Sequence, residues 1–271
     1  PTHAYLGLSP GLDFETQLVA RPEAPEVLRQ ELSRRGYKVA PIAIGTNTDP
    51  YQPIERNLGV MRGILEVLQE FRHPVGIVTK GVLVERDIGL LAEMAADGLA
   101  KVGISVTTLD PELSRRMEPR VPAPARRLKV IERLAAAGIP VRLMASPIIP
   151  GLTDHEIERL VQAGAEAGAR AASMITLRLP LEVGPLFRDW LETHMPDRAG
   201  RVMARVREMQ GGKAYSSEYG TRMTGTGVYA DLLQKRFARA RRAHGLAKDL
   251  PPLRCDLFAV PLVRGDQLSL F

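Results

Sequence analysis

The chain has 271 residues, 45% apolar and 25% charged, a balance that suits one large globular α/β domain or such a domain with a helical extension. A single cysteine, Cys255, excludes an intramolecular disulfide framework and any all-cysteine metal site, and no run approaches the ~18 uninterrupted apolar residues of a membrane helix. The net charge of +6, mostly arginine, favours anionic partners such as nucleic acid, phosphates or nucleotides, although coding bias produces the same balance; without a signal-peptide pattern the expected location is cytoplasmic.

Residues 24–35 carry a helical pattern, and a βα architecture calls for a strand before it, either residues 14–20 or a segment at or before Pro1. Short β-type apolar runs follow at residues 39–44, 75–79, 100–106, 141–145 and 171–177. Amphipathic helical segments separate them, so the order β-α-β-α implies a parallel sheet with helical crossovers. Ile54, Leu58, Met61, Leu65 and Leu68 recur at helical spacing on one face, and Pro53 suits the first turn. Pro124 opens a helix with Leu128, Ile131 and Leu134 inward and Gly138 at its end. Thr153, Asp154, His155 and Glu156 match a capping box for a helix that stops at Gly168.

Beyond Leu177 the rhythm changes. Residues 185–195 and 198–210 read as two surface helices, 211–227 as a glycine-dense loop, and 228–244 as a long helix. Tyr229, Leu233, Phe237 and Ala240 face inward on that helix; Lys235, Arg239 and Arg242, with Arg236 and Arg241 nearby, form a basic stripe. Such a stripe is either a solvated helix face or a contact for a phosphate backbone. Tyr215, Tyr219 and Arg222 in the loop suit a base or phosphate, or simple loop packing. Residues 257–263 are a candidate edge strand interrupted by Pro261.

Ligands of parallel β/α folds bind where strand carboxyl ends and helix amino ends converge. Those ends here carry Thr46, Asn47, Thr48 and Asp49 after the first run, Lys80 after the second, Ser105, Thr107 and then Glu118 after the third, and residues 146–154 after the fourth. A carboxylate, an ammonium and several hydroxyls suit a zwitterionic ligand. Taken singly, residues 46–49 also read as a helix start and Lys80 as a solvated loop lysine.

The runs GTNTDPYQPIER, VTKGVLVERD, ISVTTLDPELSRRMEPRVPAPARRL and SPIIPGLTD resemble radical S-adenosylmethionine (SAM) proteins of the spore photoproduct lyase-like group, which is DNA-repair photolyase-like. The resemblance spans Pro1 to about Gly245, and the opening Pro1-Thr2-His3-Ala4-Tyr5 is similar to the stretch that follows a CxxxCxxC motif in that group. It implies an incomplete (β/α)6 TIM-like barrel over residues 1–180, with a C-terminal helical extension over 181–271. It further implies SAM and a [4Fe-4S] cluster as cofactors, whose three cysteine ligands this chain lacks, and a reductase or flavodoxin-type electron donor. The reaction implied is reductive cleavage of SAM to a 5′-deoxyadenosyl radical that abstracts hydrogen from a substrate, with DNA a candidate.

Position by position, the resemblance assigns Thr46, Asn47, Thr48 and Asp49 to the methionine amino group, and Lys80 and Ser105, with Thr107 beside them, to its carboxylate and ribose. Glu118 contacts the ribose or orders its loop, the backbone of Ile149 reads adenine, and His3 and Tyr5 shape the cluster loop. Spore photoproduct lyase uses a cysteine on its second-strand loop as hydrogen donor; residues 46–48 offer none, so thymine-dimer lyase chemistry is not supported and the catalytic residues are unassigned. Two other classes remain open: a nucleic-acid-binding barrel without chemistry, and a β/α-barrel lyase using Lys80 as a Schiff-base amine.

Overall fold

Apolar runs too short for helices form five strands, β1 (Ile42–Ile44), β2 (Val75–Thr79), β3 (Ala100–Ser105), β4 (Val141–Ile148) and β5 (Ala171–Thr176). The structure is a computed structural model that describes residues 6–9, 11, 13 and 16–261. Between and beyond the strands lie α1 (Ala24–Leu32), α2 (Glu55–Leu58), α3 (Val60–Glu70), α4 (Ile88–Ala96), α5 (Pro111–Met117), α6 (Pro124–Ala136), α7 (Ile157–Glu166), α8 (Val183–His194), α9 (Pro196–Met209) and α10 (Gly227–Ala243).

All strand pairs are parallel and their order is β1-β2-β3-β4-β5. A sheet wound in one direction through right-handed crossovers puts every crossover helix on the same face and leaves the other face concave, as in a barrel. Burial follows: Ile77, Val102, Ile104, Val141, Leu143 and Met174 are buried, while Gly76, Val78, Lys101, Met144 and Ser173 between them are only partly covered. The fold is thus the expected α/β partial barrel, with five strands among the described residues. Leu233, Phe237 and Ala240 of α10 join the main core, whereas α8 and α9 build a second apolar cluster with Leu113, Ile149, Leu152 and Leu177.

Several sequence expectations fail locally. The helix expected across residues 54–68 breaks at Gly59 (φ 64°), so Ile54 and Leu58 are exposed, while Met61, Leu65 and Leu68 are buried. Residues 16–20 form no strand, and residues 14–15 of that candidate, like His3 and Tyr5, lie outside the described residues. Residues 257–261 form no strand either, and 262–263 lie outside the described range.

The tail instead straps the amino ends of the strands. Ala247 bridges Ala171, Arg254 N–H donates to Gly98 O (3.0 Å), and Ala259 N–H donates to Phe71 O (3.1 Å). Phe258 packs its ring against Tyr37, Phe71 and His73 at centroid distances of 5.5, 6.4 and 5.6 Å. Cys255, a free and partly buried thiol, sits in this strap.

His73 is fully buried. Its Nδ1 lies 3.1 Å from Pro74 O, which only accepts, so Nδ1 carries the proton and Nε2 receives the Tyr37 hydroxyl at 2.9 Å. Burial holds its pKa below the ordinary 6.5, so the unfolded chain binds the proton more readily, and stability is lost as pH falls below that value. The thermal midpoint is expected to drop between about pH 7.5 and 5.5, and His73→Gln should flatten that slope. An unchanged slope in the variant would show that His73 is not the group responsible.

Candidate functional site

The loop after β1 turns at Gly45, whose φ of 92° and closeness to Val78 admit no side chain: a Cβ there would lie 1.9 Å from Val78 O. Thr46, Asn47 and Thr48 are exposed along this loop, and Asp49 ends it half-buried. Asp49 Oδ1 accepts from the Thr79 hydroxyl (2.6 Å) and from Tyr51 N–H (2.9 Å); Oδ2 accepts from Lys80 N–H (2.7 Å). The residue expected to meet an amino group therefore also staples the β1 loop to the end of β2. Three acceptor directions are used, out of the roughly four a carboxylate offers.

Beneath that loop lies an ionic cluster that sequence reading did not single out. The Tyr51 hydroxyl donates to the fully buried Asp87 (3.0 Å), and Arg86 bridges Asp87 (2.9 Å) and Glu55 (2.8 Å). Glu55 also accepts Met61 N–H (3.0 Å) across the break at Gly59. Burial pushes the Tyr51 phenol well above its usual range, and the charge of Asp87 adds to it. The signal was present as Glu55, Arg86 and Asp87 beside apolar residues, but nothing in the spacing marks them as partners.

At the next two strand ends the expected residues meet. Lys80 Nζ donates to Glu118 Oε1, while Oε2 accepts from the Thr107 hydroxyl (3.1 Å) and from Arg127 (2.7 Å). Arg127, on α6, donates also to Pro122 O (2.7 Å) and to Ser105 O at the end of β3 (3.3 Å). Burial alone would raise the Glu118 carboxyl, but the charges of Lys80 and Arg127 outweigh it and hold the group below the usual carboxylate range. Lys80, Thr107 and Arg127 thus meet on Glu118, with Asp49 linked through the Lys80 backbone N–H and Ser105 through its carbonyl on Arg127.

Ile149 stands apart. Its side chain is buried with α9 in the second apolar cluster, its N–H donates to Thr153 Oγ1 (2.9 Å), and its carbonyl accepts from Leu152 (3.0 Å) and Thr153 (2.9 Å). The capping box expected at residues 153–156 does not form. Thr153 serves Ile149, and Glu156 turns back to accept from the Thr108 hydroxyl and Leu109 N–H. Asp154 accepts from Gly151 N–H (2.8 Å) and from the Tyr229 hydroxyl, tying this loop to α10. Burial, with that hydrogen bond, pushes the Tyr229 phenol up to about 12.

A profile of the Radical SAM superfamily matches residues 17–163, more than half of the chain. An uncharacterized protein of Mycobacterium tuberculosis is 35% identical over 254 residues, which span 93% of this chain and 71% of that protein. The chain belongs to the radical SAM superfamily. An uncharacterized protein of Methanocaldococcus jannaschii is 31% identical over 115 residues, 42% of this radical SAM chain and 43% of its own length. Among solved structures, spore photoproduct lyase complexed with dinucleoside spore photoproduct superposes with a TM-score of 0.60 at 15% identity, covering 90% of this chain and 69% of that one. Streptococcus suis SuiB bound to SAM gives 0.51 at 17% identity, covering 90% and 46%. Membership displaces the Schiff-base lyase reading of Lys80.

The family implies a [4Fe-4S] cluster, and the residues present do not fit one. Cys255 is the chain's single thiol and lies at the amino-terminal end of the sheet, opposite Lys80. Among the described residues, no group of three or more His, Cys, Asp and Glu is arranged to hold a metal ion.

Gly45→Ala is expected to cost about 3 kcal/mol or more, combining left-handed strain with a clash against backbone. Gly59→Ala, at φ 64° but in open space, should cost only about 1 kcal/mol. Urea unfolding of the two variants checks the difference, and equal losses would refute the role given to the Val78 contact.

Proposed function

We propose that this chain is the SAM-holding core of a radical SAM enzyme that makes a 5′-deoxyadenosyl radical, with cluster ligands supplied from outside this sequence. The observation that carries the reading is the shared network in which Lys80, from the end of β2, and Thr107, just beyond β3, meet on Glu118. Lys80 then offers its charge to the methionine carboxylate, with Ser105 and Thr107 beside it for carboxylate and ribose. Asp49 receives the amino group on its remaining acceptor direction, on a loop shaped by Thr46, Asn47 and Thr48. Glu118 orders the site rather than meeting the ribose, since both its oxygens are engaged. Ile149, expected to read adenine, supports its loop instead of meeting the base in this reading, being fully buried with its N–H and carbonyl engaged.

In this reading the chain divides into a partial barrel, residues 1–180, and a C-terminal extension, residues 181–271, and the protein works in the cytoplasm with a flavodoxin-type or other reductase as electron donor. No helix among the described residues is long and apolar enough to cross a membrane. SAM titrated into the chain by calorimetry should bind, and Lys80→Ala should weaken binding roughly tenfold. Full-length protein, reconstituted anaerobically and reduced with SAM present, should yield 5′-deoxyadenosine. Failure of both would leave the nucleic-acid-binding barrel as the better reading.

For the substrate we infer nucleic acid. Lys235, Arg239 and Arg242 are exposed along α10, whereas Arg236 is spent on Glu158 (2.6 Å). In the loop that leads into that helix Tyr219 is 89% exposed, with the Arg222 guanidinium 5.6 Å from its ring centroid. Cationic side chains beside an open aromatic face suit phosphates and a stacked base. Changing Lys235, Arg239 and Arg242 together to Glu should abolish binding of single-stranded DNA at low salt and remove its salt dependence; unaltered binding would assign the stripe to solvation.

A further inference from the structure

Glu118 is the meeting point of unequal cations. One carboxylate faces two positive charges, so one charge is surplus. Arg127 is 1% exposed, and three of its nitrogens are committed to Pro122 O, Ser105 O and Glu118 Oε2. Lys80 is 34% exposed on a flexible stem, and its side-chain hydrogen bond among the described residues goes to Glu118. A guanidinium with a rigid fork stays where it is put, and an ammonium on four methylenes can be redirected.

A buried arginine is costly unless its partners are well placed, and this one does nothing for the apolar packing of α6 that an aliphatic residue would not do. It lies on the helix's inward stripe with Ile131 and Leu134. If Glu118 had Lys80 as its sole counterion, an anionic ligand would have to compete with a buried carboxylate for the lysine. With Arg127 in place the carboxylate is already balanced.

We infer that Arg127 is a positioning residue of the SAM site: it neutralises and fixes Glu118 so that the charge of Lys80 is free for the carboxylate of the ligand. This rests on the SAM reading above. Ser105 is held by the same guanidinium, so the end of β3 and the lysine at the end of β2 are set by one buried group. The signal in the sequence is an arginine on the apolar stripe of a helix, beside Arg126, which pairs at the surface with Glu85.

Calorimetric titration of SAM into the chain between about pH 4 and 8 tests this with Arg127→Met and with the double variant Arg127→Met/Glu118→Gln. Arg127→Met should weaken binding roughly tenfold at neutral pH, because Glu118 then holds Lys80, and recover affinity toward acid as Glu118 takes up a proton. The double variant removes both buried charges, restores the surplus on Lys80 and should bind within about threefold of the parent. A merely structural arginine predicts neither the pH-dependent recovery nor the rescue.

No SAM binding by the parent chain would sink the SAM reading, whatever Arg127 does. Binding by the parent with unchanged affinity in Arg127→Met, or a double variant no better than the single one, would overturn the role given to Arg127. If Arg127→Met does not fold, the neutral double variant decides alone: binding near the parent supports the role, and a roughly tenfold loss refutes it.

Discussion

A carboxylate taken out of water must be repaid by charge and hydrogen bonds, and Glu118 is repaid from three directions at once. Its partners come from the end of β2, from the segment just past β3, and from α6. Those groups can meet only because β2 and β3 are adjacent parallel strands in matched register, Val75 opposite Ala100 through Thr79 opposite Ile104. The sheet's one-directional winding leaves the strand ends on a common rim, and the buried charge then fixes how the side chains on that rim are disposed. Removing Arg127 would leave the buried carboxylate with one partly exposed counterion, a larger loss than that of an exposed ion pair.

Asp49 does the same work one strand earlier, through hydroxyl and backbone donors instead of cations. It joins the β1 loop to β2 and leaves the lysine side chain to Glu118. The Tyr51, Asp87, Arg86 and Glu55 cluster supports that loop from below. The rim is therefore built in two tiers: polar residues that face the concave side, and buried charges that hold their backbones. A loop supported this way has its conformation set before any ligand arrives, which lowers the ordering cost of binding.

Strand positions were legible because β2 through β5 are short apolar runs between helices, and periodicity reports burial directly. Lys80, Thr107 and Glu118 were legible as candidates from their place after the strands, and the family resemblance gave them roles, but their sequence separation hides the contact among them. The failures have specific causes. Gly59 turns the chain out of a helix whose apolar spacing continues on either side of it. Glu156 looked like a capping residue because its spacing from Thr153 is right, but a tertiary partner, Thr108, takes it. Arg127 was not legible because its partners, Glu118 and the carbonyls of Ser105 and Pro122, are fixed by the tertiary fold and not by spacing along the helix.

The two ends of the sheet are built for different tasks. At the amino ends the tail lays Phe258 into an aromatic cluster with Tyr37, Phe71 and His73, an arrangement of packing and neutral hydrogen bonds. At the carboxyl ends burial is given to charges, an expensive choice for stability alone. Cys255 lies with the first group, so the chain's only thiol is placed away from the rim where Lys80 and Glu118 meet. A thiol there cannot donate hydrogen to a substrate at the rim or ligate a metal held beside Lys80. What this chain contributes at the rim is position: a mobile lysine and a buried arginine that meet on one carboxylate, with a hydroxyl from just past β3 bonded to the same group.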